Sequence, residues 1–174
     1  MFRKLQQRFR DMKTIRQLCE QAEHHARNSG QQEAGAEHFV LAALDLPDGT
    51  ACAAFARLGV DGKLFKQAIA QQATDALLAV GVQIDRSTLV STQPLDAAAT
   101  GLLYQAQASG QSLMQALAAQ DKSSDIALLG AHVLQAACAA QYGVTIRALR
   151  VMGLEPARLA AAAEAEIQAA SLAV

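Results

Sequence analysis

The sequence predicts an all-α protein in which two pseudo-symmetric four-helix repeats pack into one helical bundle. Three observations carry that reading. Of 174 residues, 52% are apolar but only 4% aromatic, and Trp is absent; Ala and Leu dominate the apolar fraction, and both favour helix over strand. Apolar residues recur at spacings of three and four, the period of a helix that buries one face. Finally, the chain resembles itself at a fixed offset: His38 and His132, Gly49 and Gly143, Gly59 and Gly153 are each 94 residues apart, and a register shared by two glycines and a histidine does not come from composition alone.

The first helix is read from Phe2, Leu5, Phe9, Met12, Ile15, Leu18, Cys19, Ala22 and Ala26 as one apolar stripe, ending at Asn28-Ser29-Gly30, where glycine can take the left-handed conformation that closes a helix. Ala36 to Leu44 follows as a short buried helix stopped by Leu46-Pro47-Asp48-Gly49, and Thr50 is placed to cap the next, which Gly59 ends. Asp61 caps a longer helix from about Gly62 to Ala79. Residues 82–93 mix β-branched and polar types without a helical period and read as a linker. Pro94 suits the first turn of a fifth helix running to Ser109-Gly110, with Leu113 to Ala119 adding a turn or two. The last three helices are expected over Ala127 to Ala140, over Ile146 to Met152 behind Thr145, and over Pro156 to Ala170. Residues 1–174 thus form a single domain, with repeat 1 over about 9–80 and repeat 2 over about 94–170. Ser29-Gly30-Gln31 also matches Ser109-Gly110-Gln111 at an offset of 80, which implies 14 extra residues before the histidine of the second copy.

Charge and cysteine usage narrow the function. Fifteen Lys and Arg against 16 Asp and Glu give a net charge of −1, which excludes a strongly basic nucleic-acid arm and a disordered acidic tail. Cys19, Cys52 and Cys138 form no C-x-x-C pair and are expected to pack as small hydrophobes in a reduced compartment. Charged residues from Arg3 to Arg16 interrupt any signal-peptide core, and no apolar run approaches membrane-spanning length. The expectation is a soluble cytoplasmic protein with no membrane span and no nucleic-acid partner.

The segment Gly35-Ala36-Glu37-His38-Phe39-Val40-Leu41-Ala42-Ala43-Leu44, then Asp48-Gly49-Thr50-Ala51, then Phe55-Ala56-Arg57-Leu58-Gly59-Val60 resembles the N-terminal domain of Clp-type unfoldases. In that family a Gly-Thr-Glu-His-Leu-Leu-Leu segment, a Gly-containing turn and a Leu-Gly-Val ending occur twice. The resemblance runs from about residue 9 to 168 and is weaker in the second copy, where Ala131 stands opposite Glu37. It implies a Clp N-domain-like helical bundle that captures substrate polypeptides or adaptor proteins for a Clp-type AAA+ unfoldase or protease. The ATPase is absent from this sequence, because no G-x-x-x-x-G-K-[ST] loop is present. The resemblance also raises phosphoarginine binding through a Glu and a Thr in each repeat. Glu37 matches, but Met12 stands at the threonine position with Thr14 nearby, and in the second copy Thr92 matches while the Glu is Ala131. Without the second carboxylate a paired guanidinium clamp is not expected.

No enzyme, cofactor or metal is expected. His24 and His25 beside Glu20 and Glu23 lack a third ligand of zinc-site spacing and read as an exposed polar face. His38 and His132 occupy equivalent places, so a shared structural role, a ring N–H donating to a backbone carbonyl between helices, is favoured over catalysis. Gly59 and Gly153 are read as structural helix ends. The peptide or adaptor site is placed at the seam between repeats, with Glu37, Asp48, Thr14 and Thr92 as candidates. A structural or secretion-associated protein that pairs with a helix of an assembly component is the alternative. The basic, apolar segment from Met1 to Lys13 is either a surface-docking amphipathic helix or an extension of the first core helix; the in-phase continuation into Ile15 and Leu18 favours the extension.

Overall fold

The structure, a computed structural model, describes residues 2–79, 106–120 and 126–172. Among them are eight helices and no strand: α1 (Phe2–Asn28), α2 (Ala36–Leu44), α3 (Thr50–Arg57), α4 (Leu64–Ala79), α5 (Ala108–Ala119), α6 (Gly130–Cys138), α7 (Val144–Val151) and α8 (Pro156–Leu172). The expected linker 82–93, the start of the helix predicted at Pro94, and Thr92 lie outside the described residues.

The internal repeat is a feature of the backbone. α2 and α6 have the same length and lie 94 residues apart, as do α3 and α7. Gly59 and Gly153 both take the left-handed conformation, at φ 71° and 72°. Each closes its helix in the same way: Val60 N–H donates to Phe55 O and Gly59 N–H to Ala56 O, while Leu154 N–H donates to Leu149 O and Gly153 N–H to Arg150 O. These are the paired bonds of a Schellman ending, which satisfy carbonyls that a helix terminus leaves over.

Packing crosses between the halves. α3 of the first repeat lies on α8 of the second, and α4 on α7, while α2 and α6 meet in the centre. Each repeat therefore buries its apolar face against the other. α2 is buried from Ala36 to Ala43 and apolar apart from Glu37 and His38, as suits a helix enclosed on every side. One continuous core joins Leu18, Phe39, Phe55, Phe65, Leu134, Leu149 and Leu159, and each fully buried Phe or Leu contributes about 2 kcal/mol through burial.

Several expectations are corrected. Ser109-Gly110 does not end a helix: Gly110 lies in the first turn of α5, preceded by an isolated bridge between Ala106 and Ala34. A Cβ on Gly110 would come within 2.6 Å of Ala34 O, so this glycine permits close approach, whereas Gly30 (φ 73°) reverses the chain after α1. The match at an offset of 80 therefore pairs positions with different jobs, and it gives no measure of an insertion. α4 starts at Leu64, two residues later than expected, because Asp61 Oδ1 accepts from Lys63 N–H at 2.9 Å in a turn ahead of the helix. Cys52 is exposed, while Cys19 and Cys138 are half-buried. Phe9 and Met12, read as part of the buried stripe of α1, are 60% and 57% exposed.

Candidate functional site

The site is built where the N-termini of α2 and α6 enter the seam. Each first turn is closed by its own histidine. Gly35 N–H donates to His38 Nδ1 at 3.0 Å, and His38 N–H donates back to Gly35 O. Leu129 N–H donates to His132 Nδ1 at 3.1 Å, with His132 N–H returning to Leu129 O. The ring nitrogen that faces the backbone is thus an acceptor, which corrects the expected donation to a carbonyl between helices. An acceptor nitrogen must be unprotonated, and burial holds His38 down to about 4 and lowers His132. His38 Nδ1 lies 3.7 Å from Glu37 Oε1; because His38 is neutral, this approach is not an ion pair.

At the α6 end the α2–α3 loop caps the seam. Asp48 accepts from Gly130 N–H at 3.2 Å and from Thr50 N–H at 2.9 Å. Thr50 Oγ1 donates to Asp48 Oδ1 and accepts from Ala131 N–H at 3.0 Å. Thr50 was expected to cap its own helix. It serves the first turn of α6 in the other repeat instead, and the residue before α3 is Gly49. Gly130 makes this possible, since a Cβ there would meet Ala43 O at 2.9 Å and Ala51 Cβ at 3.1 Å.

The α2 end is different. Its facing loop is Tyr142-Gly143-Val144, the counterpart of Asp48-Gly49-Thr50 at the 94-residue offset, and neither Tyr142 nor Val144 can reproduce the carboxylate and hydroxyl bonds. Ser109 Oγ takes the Ala36 N–H at 3.2 Å. Between these elements lies a cavity of about 290 Å³, lined by Glu37, Leu113, Thr145 and Tyr142 and by small side chains including Ala136 and Ala140. Tyr142, 84% exposed, stands at its rim.

Two buried polar groups stand in this wall. Thr145 is 3% exposed, and among the described residues its Oγ1 has no hydrogen-bond partner. The sequence places the start of this helix at Ile146 behind Thr145, yet α7 begins at Val144 and carries Thr145 as its second residue. A buried hydroxyl without a partner costs about 1–3 kcal/mol. Glu37 is 2% exposed, and burial raises its carboxyl above the usual range, against the opposing effects of its own backbone N–H and of Arg147. Arg147 is itself held by Gln72 Oε1 at 2.8 Å.

Of the four seam candidates read from sequence, Glu37 lines the cavity and Asp48 seals the opposite end. Thr14 is half-buried on α1 and does not line it, and Thr92 lies outside the described residues. Sequence reasoning missed Thr145, because a threonine beside a helix start looks like a cap. His25 Nε2 is bonded to Asp45 Oδ2 at 2.7 Å and His24 to Asn28; among the described residues no group of three or more His, Cys, Asp or Glu is placed to hold a metal ion. Burial pushes Cys19 up to about 11 and Cys138 up to about 12, and Cys52 is also raised, so these thiols are protonated and poor nucleophiles near neutral pH. Among the described residues no helix is long and apolar enough to cross a membrane.

Comparison with known proteins adds a family. A family model described as the Clp repeat (R) N-terminal domain matches residues 13–150. No curated protein and no solved structure matches the chain.

Proposed function

Since the chain belongs to the Clp repeat N-terminal domain family, an all-α protein-interaction module, we propose that it binds substrate polypeptides or adaptor proteins for a Clp-type AAA+ unfoldase or protease, in the cytoplasm and with no catalysis of its own. The observation that supports this reading is the cavity at the α2 end of the seam. Alanine is the commonest residue in its walls, and two buried polar groups reach it, the Glu37 carboxyl and the Thr145 hydroxyl, the latter without a partner among the described residues. An apolar concavity with few polar anchors suits a peptide segment: its side chain fills the hollow, its N–H donates to Glu37 and its carbonyl accepts from Thr145. A ligand that satisfies Thr145 also recovers the cost of leaving that hydroxyl unpaired.

The test is titration of a permanently unfolded, fluorescently labelled model protein with the purified chain. Ala140 is exposed at the cavity wall, so Ala140→Trp fills the hollow without disturbing the core. It is expected to weaken binding by about tenfold or more, with Glu37→Gln and Thr145→Val weakening it less. Unaltered affinity in all three variants, or no binding by the wild type, rejects this reading. Addition of the host unfoldase then shows whether binding changes the degradation rate of the same substrate.

A further inference from the structure

The N-terminal part of α1 carries a surface that the seam does not explain. At about 100° per residue, Asp11, Ile15 and Leu18 point to one side of the helix, and Phe9, Met12, Lys13 and Arg16 to the other. The structure buries the first side. Leu18 is fully enclosed, and Asp11, 8% exposed, accepts the Leu128 N–H at 2.7 Å. That contact turns Phe9 and Met12 outward, 60% and 57% exposed, with Arg10 and Lys13 exposed beside them. Leaving a Phe and a Met in water forgoes about 2 kcal/mol each, whereas Phe39, Phe55 and Phe65 are fully buried.

The charge of the first 13 residues is one-sided; beyond them Arg16, on the same side as Phe9, is paired with Glu20 at 2.7 Å. Asp11 is the only acidic residue among the first 13, against Arg3, Lys4, Arg8, Arg10 and Lys13, and it is consumed by the Leu128 contact. The first turn of α1 holds no acidic residue, so the sequence places basic residues at the end of the helix where the backbone dipole is already positive. Negative charge brought by a partner relieves both. The helix also begins at Phe2, while the family match begins at residue 13; this stretch lies outside the matched region.

We propose that the exposed face of α1 around Phe9, Arg10, Met12 and Lys13 is a docking surface for an acidic amphipathic helix of a protein partner, separate from the seam cavity. Phe9 and Met12, three residues apart, supply the apolar contact, and Lys13 and Arg10 lie along one edge of it to meet carboxylates. A second copy of the chain is disfavoured as occupant, because it sets the same cations against one another. An anionic lipid surface is disfavoured by the narrow apolar footprint of two residues.

The probe is a labelled helical peptide with Leu at the a and d heptad positions and Glu elsewhere, followed by fluorescence anisotropy against the full chain. A Lys-for-Glu version and phosphatidylserine–phosphatidylcholine vesicles are run in parallel. The acidic peptide is expected to bind about tenfold or more tightly than the basic one, and more weakly as salt rises. Phe9→Ala with Met12→Ala, and separately Arg10→Glu with Lys13→Glu, each reduce its affinity by about tenfold with an unchanged helical melt, while Ala140→Trp leaves it intact. Equal binding of the two peptides, no binding, binding of vesicles lost in the same variants, or concentration-dependent dimers abolished by Phe9→Ala each overturn the proposal. Loss of the peptide in Ala140→Trp relocates it to the seam and overturns it too. Because the cavity variant and the α1 variants are scored separately, failure here leaves the seam result standing.

Discussion

The two ends of the α2–α6 seam are built from equivalent positions, and four of the differences between them set the polar groups each end carries. At the closed end stand Asp48, Thr50, Ala51 and Ala131; at the open end, 94 residues away in register, stand Tyr142, Val144, Thr145 and Glu37. The first set donates and accepts until the first turn of α6 is satisfied. The second set replaces an acceptor by an exposed ring, replaces a hydroxyl by a methyl, and places a carboxyl and an orphaned hydroxyl in the wall of a cavity. A duplicated fold holds its shape while one copy of a contact is sacrificed. The retained copy ties the first turn of α6 to the other repeat, and the altered copy leaves the cavity that the proposed function uses.

The largest expected effect breaks the closed end sterically. Gly130→Val places a side chain against Ala43 O and Ala51 and is expected to cost about 3 kcal/mol, read as a drop in the urea midpoint. Removing the seal chemically, by Asp48→Ala with Thr50→Val, is expected to cost about 2 kcal/mol, since two capping interactions are lost. The matching pair at the open end, Tyr142→Ala with Val144→Ala, is expected to change stability far less by the same assay.

Protonation sharpens the comparison. His38 titrates at about 4 in the folded chain against an ordinary 6.5, so the unfolded chain takes up a proton that the folded ring refuses. Its contribution is complete above about pH 6.5 and is lost as pH falls toward 4, on the order of 2 kcal/mol between pH 7 and pH 5. Glu37 acts with the opposite sign, since its raised carboxyl binds a proton more readily in the folded state. His38→Gln is therefore expected to flatten the acid side of the stability profile. His132→Gln flattens it less, because the nearby acids Asp11, Glu164 and Asp48 oppose the lowering of His132. A control completes the comparison: Gly59→Ala and Gly153→Ala, at matched φ angles, are expected to cost about 1 kcal/mol each by thermal melting, nearly equal because the backbone of the helix ending is the same in both repeats.

The helices were legible because their signals are local. α2 is bounded by Gly35 and the Leu46-Pro47 turn, and the Gly59 and Gly153 endings need only a left-handed residue after a periodic run. What the sequence hid depends on the other repeat. Thr50 and Thr145 occupy similar places before or within a first turn, but one hydroxyl is used across the seam and the other is left over, and only the packed structure separates them. Gly110 looked like Gly30 because both follow a serine, yet one relieves a clash with Ala34 O and the other reverses the chain. In α1, spacings of three and four admit Phe9 and Met12 to the apolar stripe, but the Asp11 contact with Leu128 rotates them outward, a long-range bond that periodicity cannot register. Glu37 was found from the family-like segment, whereas nothing local marked the cavity beside it.

The central claim is that the open end of the seam is where this protein takes hold of its ligand. Grafting the closed end onto it, by Glu37→Ala, Tyr142→Asp and Val144→Thr together, tests this most directly when the affinity for an unfolded polypeptide is measured beside the melting temperature. The account predicts that binding falls by about tenfold or more while the melting temperature is held or raised. Wild-type affinity in a stably folded triple variant contradicts it.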